Sequence, residues 1–376
     1  MNGSRPNSRA FRAAILAGLG IGAAACGRHP AAPSAEEPVL NVYNWADYIG
    51  RDTIAEFERE THIKVVYELY DSNATLEAKM LVGRSGYDIV STTTEFYGRQ
   101  IAAGAYLPLD KSRLPHWKNL DPAVLAVQAS ADPGNRYAVP YLHAMNGFAY
   151  NVDLVRARMP DAPTDSLAMI FDPKVIARFA DCGVTFLDSA EDVIQLALAY
   201  LHRDPNSRRV EDLRAAEQLL MAVRPYVRTF DSNNYWHELA SKEVCLSIAW
   251  SSDYSVAQAR AREDGTGARL AFTLPKEGSN ITYNAFLIPA SAPHPRAAHR
   301  FLDFILRPRI IAQITNDTHY GNDNLAAAPF VDAGILHDPA VYPPPELRAR
   351  LYLPAELGQE YDRLRTRAWT HIKTGQ

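Results

Sequence analysis

The stretch VLNVYNWADYIGRDTIAEFERETHIKVVYELYDSNATLEAKMLVGRSGYDIVS, residues 39–91, decides the fold. Val39 to Tyr43 reads as a short apolar strand. Thr53 to Glu60 reads as a helix with Ile54 and Phe57 on one face, and Ile63 to Leu69 as a second strand. Asp71 or Ser72 can cap a helix carrying Leu76, Met80 and Leu81. Asp88 to Ser91 is a third strand. Strands that alternate with helices imply a mostly parallel sheet covered by helices on both faces, so the expected class is α/β.

Downstream, Pro108 to Pro122 is a loop-rich connection, and an extended run around Pro140, within Tyr137 to Tyr150, can pass into a second lobe. That lobe repeats the α/β pattern. Val184 to Leu187 is a strand, Ser189 opens a helix with Val193, Leu196, Ala197, Tyr200 and Leu201 on one face, Arg209 to Val223 is a further helix, and Val244 to Trp250 is a buried strand. Arg269 to Leu274 and Tyr283 to Ile288 are extended and can carry the chain back. Pro295 to Ile314 is helical with a break near Pro308, and Pro344 to Lys373 reads as largely helical. A folded part of roughly 335 residues exceeds the usual size of one hydrophobic core, so two lobes are expected.

The N-terminus reads as an export signal. Arg5, Arg9 and Arg12 form a basic start, no acid precedes Glu36, and Ala13 to Ala25 is too short an apolar run to span a membrane. Residues 1–25 are expected to be removed. Ala23-Ala24-Ala25 before Cys26 fits a small-residue cleavage site and also resembles a lipobox. In that case Cys26 is lipidated; the other reading is ordinary cleavage. Residues 26–37 form a Pro- and Ala-rich tether. Loss of the signal's three arginines takes the formal charge from −4 to −7, which fits no nucleic-acid-binding role. With Cys26 assigned to the lipid, Cys182 and Cys245 remain. An oxidising compartment favours a disulfide between them, the other reading being two buried thiols. No metal-site spacing and no cofactor motif occurs.

Two short segments carry the functional signal. Asn44-Trp45-Ala46-Asp47-Tyr48 follows the first strand, and Trp250-Ser251-Ser252-Asp253 follows a strand far downstream. Ligands in open α/β sheets bind at strand C-terminal ends. An aromatic face beside a carboxylate suits an ammonium ion, through the ring quadrupole and charge-assisted hydrogen bonds. Two such pairs suggest a cleft that closes on a cation. Each residue also has a structural reading: Trp45 as a core aromatic, Asp47 capping a turn, Asp253 as an N-cap, and Asp192 in a capping box with Ser189. Paired carboxylates among Asp47, Glu95, Asp192 and Asp253 would equally serve glycoside chemistry, so composition does not decide between receptor and enzyme; for a Ser nucleophile, no G-x-S-x-G elbow is present.

Runs along the chain then show a resemblance. They are Val42-Tyr43-Asn44-Trp45, Asp71-Ser72-Asn73, Leu107-Pro108-Leu109-Asp110-Lys111-Ser112, Trp117-Lys118-Asn119-Leu120-Asp121-Pro122, Pro275-Lys276-Glu277-Gly278 and Arg365-Thr366-Arg367-Ala368-Trp369-Thr370. The chain resembles the polyamine-binding proteins of bacterial ABC importers, in particular the putrescine-binding type. The resemblance implies a type II periplasmic binding protein: two lobes, each a mixed sheet flanked by helices, joined by hinge strands. Residues 38–142 with 286–320 are expected in lobe 1, and 143–285 with 321–376 in lobe 2. It implies a Cys182–Cys245 disulfide, no enzymatic activity, a cationic amine ligand, a permease partner, a monomer, and a periplasmic location with an anchor at Cys26. An alternative keeps the binding fold for another small amine, or for sensing or scaffolding without transport.

The implied ligand set is Trp45, Asp47, Tyr48, Thr93, Glu95, Asp192, Trp250, Asp253, Thr282, Asn284 and Tyr320. Thr93 stands for a Ser and Asp192 for a Glu. Ala46 replaces a hydroxyl residue, Thr282 a large aromatic, and Asn284 an Asp that pairs with one ammonium. Glu95 is an added acid. Asn284 can accept a hydrogen bond but supplies no charge, so either Glu95 compensates or the ligand differs from putrescine.

Overall fold

A computed structural model describes residues 39–375 apart from Asp47, Asp71, Ser72 and Val82, and excludes the side chains of Asn73, Ala74 and Leu81. The expected signal, the tether, Cys26 and Asp47 therefore lie outside the described residues.

Strands β1 (Val39–Trp45), β2 (Lys64–Tyr70) and β3 (Ile89–Thr93) form as expected, with β1 parallel to both of the others. The helix Thr53–Thr61 between β1 and β2 buries Thr53, Phe57 and Thr61, one face at helical spacing. Phe57 meets the rings of Phe301 and Phe304 edge-on at 5.1 and 5.4 Å. His62 ends the helix in a left-handed conformation, its N–H returning to the Glu58 carbonyl. All five residues of β3 are buried, because this strand is central and covered on both faces.

β4 (Val139–Asn151) is the thirteen-residue strand on which the architecture turns. The second lobe contributes β5 (Val184–Phe186), β6 (Thr229–Phe230), β7 (Leu246–Trp250) and β8 (Leu270–Thr273). β9 (Ser279–Leu287), β10 (Gly321–Asn322) and β11 (Leu351–Tyr352) follow. The sheet order is β2-β1-β3-β9-β4-β7-β5-β6, with β10 and β8 on β4 and β11 on β9. The first half of β4 pairs with β9 and the second half with β7 and β8. β4 and β9 thus connect the lobes.

Separate apolar cores mark the lobes. One gathers Phe148, Phe171, Phe186, Leu196, Leu220, Ile248 and Trp369. The other gathers Leu40, Phe57, Ile89, Phe286, Phe301 and Ile314. Met145, Ile281 and Tyr283 form a small cluster on the connecting strands.

One expectation is corrected. Residues 321–342 were expected in lobe 2, but Ala327, Val331, Ile335 and Val341 pack into the first lobe's core. The reason is local to β10. Gly321 pairs with His143, and a Cβ at Gly321 would come within 2.2 Å of the His143 ring. The His143 ring in turn contacts Asp323 at 2.8 Å and the Val341 carbonyl at 3.1 Å. The tail is largely helical as expected, with helices Pro345–Arg348 and Gln359–Thr374. Between them Leu351–Tyr352 adds to β9.

Cys182 and Cys245 form a disulfide, with Cα atoms 5.6 Å apart and a sequence separation of 63. It ties the turn before β5 to the start of β7, beneath the strand that presents Trp250.

Candidate functional site

β1 ends in Trp45 because Asn44 fixes the strand's exit. The Asn44 Oδ1 accepts from the Trp45 N–H at 2.9 Å, and its amide donates to the Tyr67 hydroxyl at 2.8 Å. The Trp45 ring lies 4.3 Å from Tyr70 and 6.2 Å from Tyr48. The Tyr48 ring lies 4.3 Å from Tyr320, and its carbonyl accepts from the Tyr141 hydroxyl. Trp45, Tyr48, Tyr70 and Tyr320 form one aromatic wall.

β7 delivers the second segment. The helix Ser251–Glu263 starts directly after Trp250, so Asp253 is its third residue and not its N-cap. The Asp253 Oδ2 accepts from the Tyr235 hydroxyl at 2.8 Å, and its Oδ1 from the Ser252 hydroxyl at 3.3 Å. Tyr235, fully buried, also takes the Trp250 backbone N–H at 3.1 Å. One hydroxyl thus positions both members of the aromatic–carboxylate pair. No motif flags Tyr235; its only trace in the sequence is a large aromatic in an amphipathic helix.

The two segments meet across the lobes. The Tyr48 hydroxyl is in hydrogen-bonding reach of Tyr320 and Asn284, and Tyr320 in reach of Ser252. Both Asp253 from lobe 2 and Glu95 from lobe 1 bear electrostatically on Tyr48. Burial first, with Asp253 at both phenols and Glu95 at Tyr48, pushes Tyr48 and Tyr320 well above their ordinary range.

β9 runs behind them. Residues Asn280, Thr282 and Asn284 share one face at a spacing of two. Asn284 lies opposite Thr93, and Thr282 opposite Ala144. The Thr93 hydroxyl donates to Glu95 at 2.6 Å. Glu95 sits in the first turn of the helix Thr94–Ala102. Its carboxyl is pushed up to about 8, by burial first and then by Glu191 and Asp192.

Ser189 caps the helix Ala190–Tyr200 by accepting the Asp192 N–H at 3.4 Å. The Asp192 carboxylate points to the connecting strands, where it accepts from Asn146 and, at 3.1 Å, from Asn280. Asp192 is thus both cap partner and cleft acid. Glu191, which sequence reading passed over, is the other acid here. Burial pushes its carboxyl up to about 7, opposed by Arg365 at 3.8 Å. Among the sequence-predicted residues, Trp45, Tyr48 and Tyr320 share ring contacts, Thr93 bonds Glu95, and Thr282 and Asn284 lie on β9 opposite Ala144 and Thr93. Four buried side-chain atoms around them have no hydrogen-bond partner among the described residues: Trp45 Nε1, Glu95 Oε2, Asn280 Oδ1 and Asn284 Oδ1.

One turn beyond Glu95 lies a cavity of about 520 Å³. It is lined by Glu77, Arg99 and Gln100 from one lobe and by Glu356, Gln359 and Asp362 from the other. Arg99 forks onto Glu77 at 2.6 Å and reaches Glu356 across the cavity at 3.6 Å.

Two lobes joined by strands, with aromatic and acidic groups facing each other between them, define a solute receptor. The chain belongs to the bacterial extracellular solute-binding proteins, whose sequence pattern matches residues 52–342. It is 43% identical over 345 residues to the putrescine-binding periplasmic protein PotF of Escherichia coli, covering 91% of this chain and 93% of that one. It is 42% identical over 346 residues to the putrescine-binding periplasmic protein SpuD of Pseudomonas aeruginosa, covering 92% and 94%. Its fold matches a spermidine/putrescine transporter substrate-binding protein, PotD of Streptococcus pneumoniae. That match has a TM-score of 0.76 at 23% identity, over 90% of this chain and 99% of that one. The protein is a solute-binding protein and not an enzyme.

Proposed function

We propose that this protein captures a polyamine or related cationic amine between its lobes in the periplasm and delivers it to the permease of an ABC importer. The observation that carries the reading is that Asp253 from one lobe and Glu95 from the other both act electrostatically on Tyr48, beside the aromatic wall of Trp45, Tyr48 and Tyr320. Trp45, Tyr48, Trp250 and Tyr320 provide faces for the alkyl chain, and the carboxylates meet the ammonium groups. Asp47 belongs to the same site in this reading, with Thr93, Asp192, Thr282 and Asn284 lining it. A cation that neutralises acids on both lobes stabilises the closed state. The protein acts as a monomer, held at the membrane through a lipid on Cys26.

The similarity to putrescine-binding proteins supports the ligand class. The test is calorimetric titration of the unfolded, ligand-stripped and refolded mature protein. The panel is putrescine, cadaverine, spermidine, spermine, agmatine and basic amino acids. Tight binding of at least one amine is expected. Folded protein that binds none of them overturns the reading.

A further inference from the structure

A second cavity, of about 220 Å³, opens on the other face of the connecting strands. On β9 it is lined by Ile281 and Tyr283, the residues that alternate with Asn280, Thr282 and Asn284. His143 joins them from β4. Asp323 lies in the same wall with its side chain only 2% exposed. The His143 ring meets its Oδ1 at 2.8 Å, but its Oδ2 is buried with no donor among the described residues. A buried carboxylate oxygen without a donor is costly, and here a cavity can bring one in. A second acid stands beside it. Asp121 also lines the cavity, and its backbone N–H donates to the Asp323 carbonyl at 2.8 Å.

The cavity also holds the opposite charge. Arg348, the last residue of the helix Pro345–Arg348, lines it. Its guanidinium makes no hydrogen bond or ion pair among the described residues. Both signs of charge converge on Tyr283: burial first and then Asp323 push its phenol up, Arg348 opposes them and Asp121 adds to the push. The remaining walls include apolar Val124, Leu325 and Leu336. The volume equals that of about seven waters at roughly 30 Å³ each, which is the scale of a small organic molecule. No group of three His, Cys, Asp or Glu side chains among the described residues is arranged to hold a metal ion. Carboxylates on one segment, an unengaged guanidinium on another and apolar walls complement a molecule with an ammonium, a carboxylate and a few methylenes.

We propose that this cavity is a second ligand site, for a small aliphatic amino acid whose ammonium meets Asp323 and Asp121 and whose carboxylate meets Arg348. The site is separate from the amine cleft and does not rest on the reading above. Its walls belong to β4 and β9, so an occupant touches the strands that connect the lobes.

The experiment is calorimetric titration with L-alanine, β-alanine and 4-aminobutyrate, a series that lengthens the spacing between the two charged groups. Wild type, Arg348→Gln and Asp323→Asn are compared after circular dichroism has verified each fold. Wild type is expected to bind at least one of the three, and propionate, which lacks the ammonium, at least about 10-fold more weakly. Arg348→Gln and Asp323→Asn are each expected to lose about 10-fold or more in affinity for that amino acid. Arg348 is exposed and makes no ion pair, so its variant decides the matter even where Asp323→Asn does not fold. Unchanged amino-acid affinity in Arg348→Gln would place the ligand elsewhere and overturn the proposal. Folded wild type that binds none of the three, leaving the cavity to water only, would also overturn it.

Discussion

The Asp253 and Glu95 regions are built alike and behave differently. Each acid lies in the first turn of a helix that follows a strand directly, Asp253 after β7 and Glu95 after β3. Helix position favours the ionised form at both. Asp253 is met by two hydroxyl donors, Tyr235 and Ser252. Glu95 has one donor and two acids opposite, and burial with those acids pushes its carboxyl up to about 8. Neighbours brought in by the other lobe outweigh the local helix geometry. The result is one acid prepared for a charge and one that needs it.

The largest test of this contrast is Asp253→Ala. It removes the prepared acid, and truncating one partner of a buried charge pair costs roughly 3–5 kcal/mol, or about two to three and a half decades of affinity. Amine binding should be lost, in calorimetry on a folded variant. Unchanged affinity would remove Asp253 from the site.

Protons provide the next test. At neutral pH in the empty cleft, Glu95 at about 8 is largely protonated and Glu191 at about 7 is about half protonated. A bound cation favours their ionised forms, so binding releases protons and tightens as pH rises from about 6 to 8. Titrations at pH 7 in two buffers of different protonation enthalpy should therefore give different observed heats. Identical heats would mean that no cation reaches these acids. The stability linkage has the opposite sense. The folded Glu95 carboxyl lies above its ordinary 4.5, so its contribution is present below that value and lost as pH climbs towards 8. Glu95→Gln should raise the Tm of the empty protein more at pH 8 than at pH 4.5, seen by scanning calorimetry.

The smallest effect is expected at the rim. The Glu356 partner of Arg99 is nearly half exposed, and exposed pairs are worth at most about 1 kcal/mol. Glu356→Gln should shift the affinity for any amine by under about 5-fold. A larger loss would mean that the amine site extends past Glu95 into the cavity at Arg99.

Much of this was legible in the chain. The alternation over residues 39–91 foretold β1, β2 and β3 with their two helices, because amphipathic periodicity is a local property. Trp45 and Trp250 could be placed at strand ends for the same reason. Other features were hidden. Tyr235 holds Trp250 and Asp253 together, yet lies 15 and 18 residues before them in the chain, with no motif around it. Glu191 sits one residue before Asp192 on a helix whose capping pattern explains both acids without a cleft. The destination of residues 321–342 was misjudged, since a two-residue strand carries no periodicity and its place depends on Gly321 fitting against His143.

By itself the sequence determined the class of fold, the aromatic–acid pairs, the Cys182–Cys245 link and a resemblance covering most of the chain. These follow from patterns within short windows or from ordered matches along the chain. Only the tertiary structure decided which acids share a field, which buried acceptors lack donors, and which lobe each long-range contact joins. Electrostatics and desolvation act through space, between groups as distant in the chain as Glu95 and Glu191, and no local pattern encodes that distance.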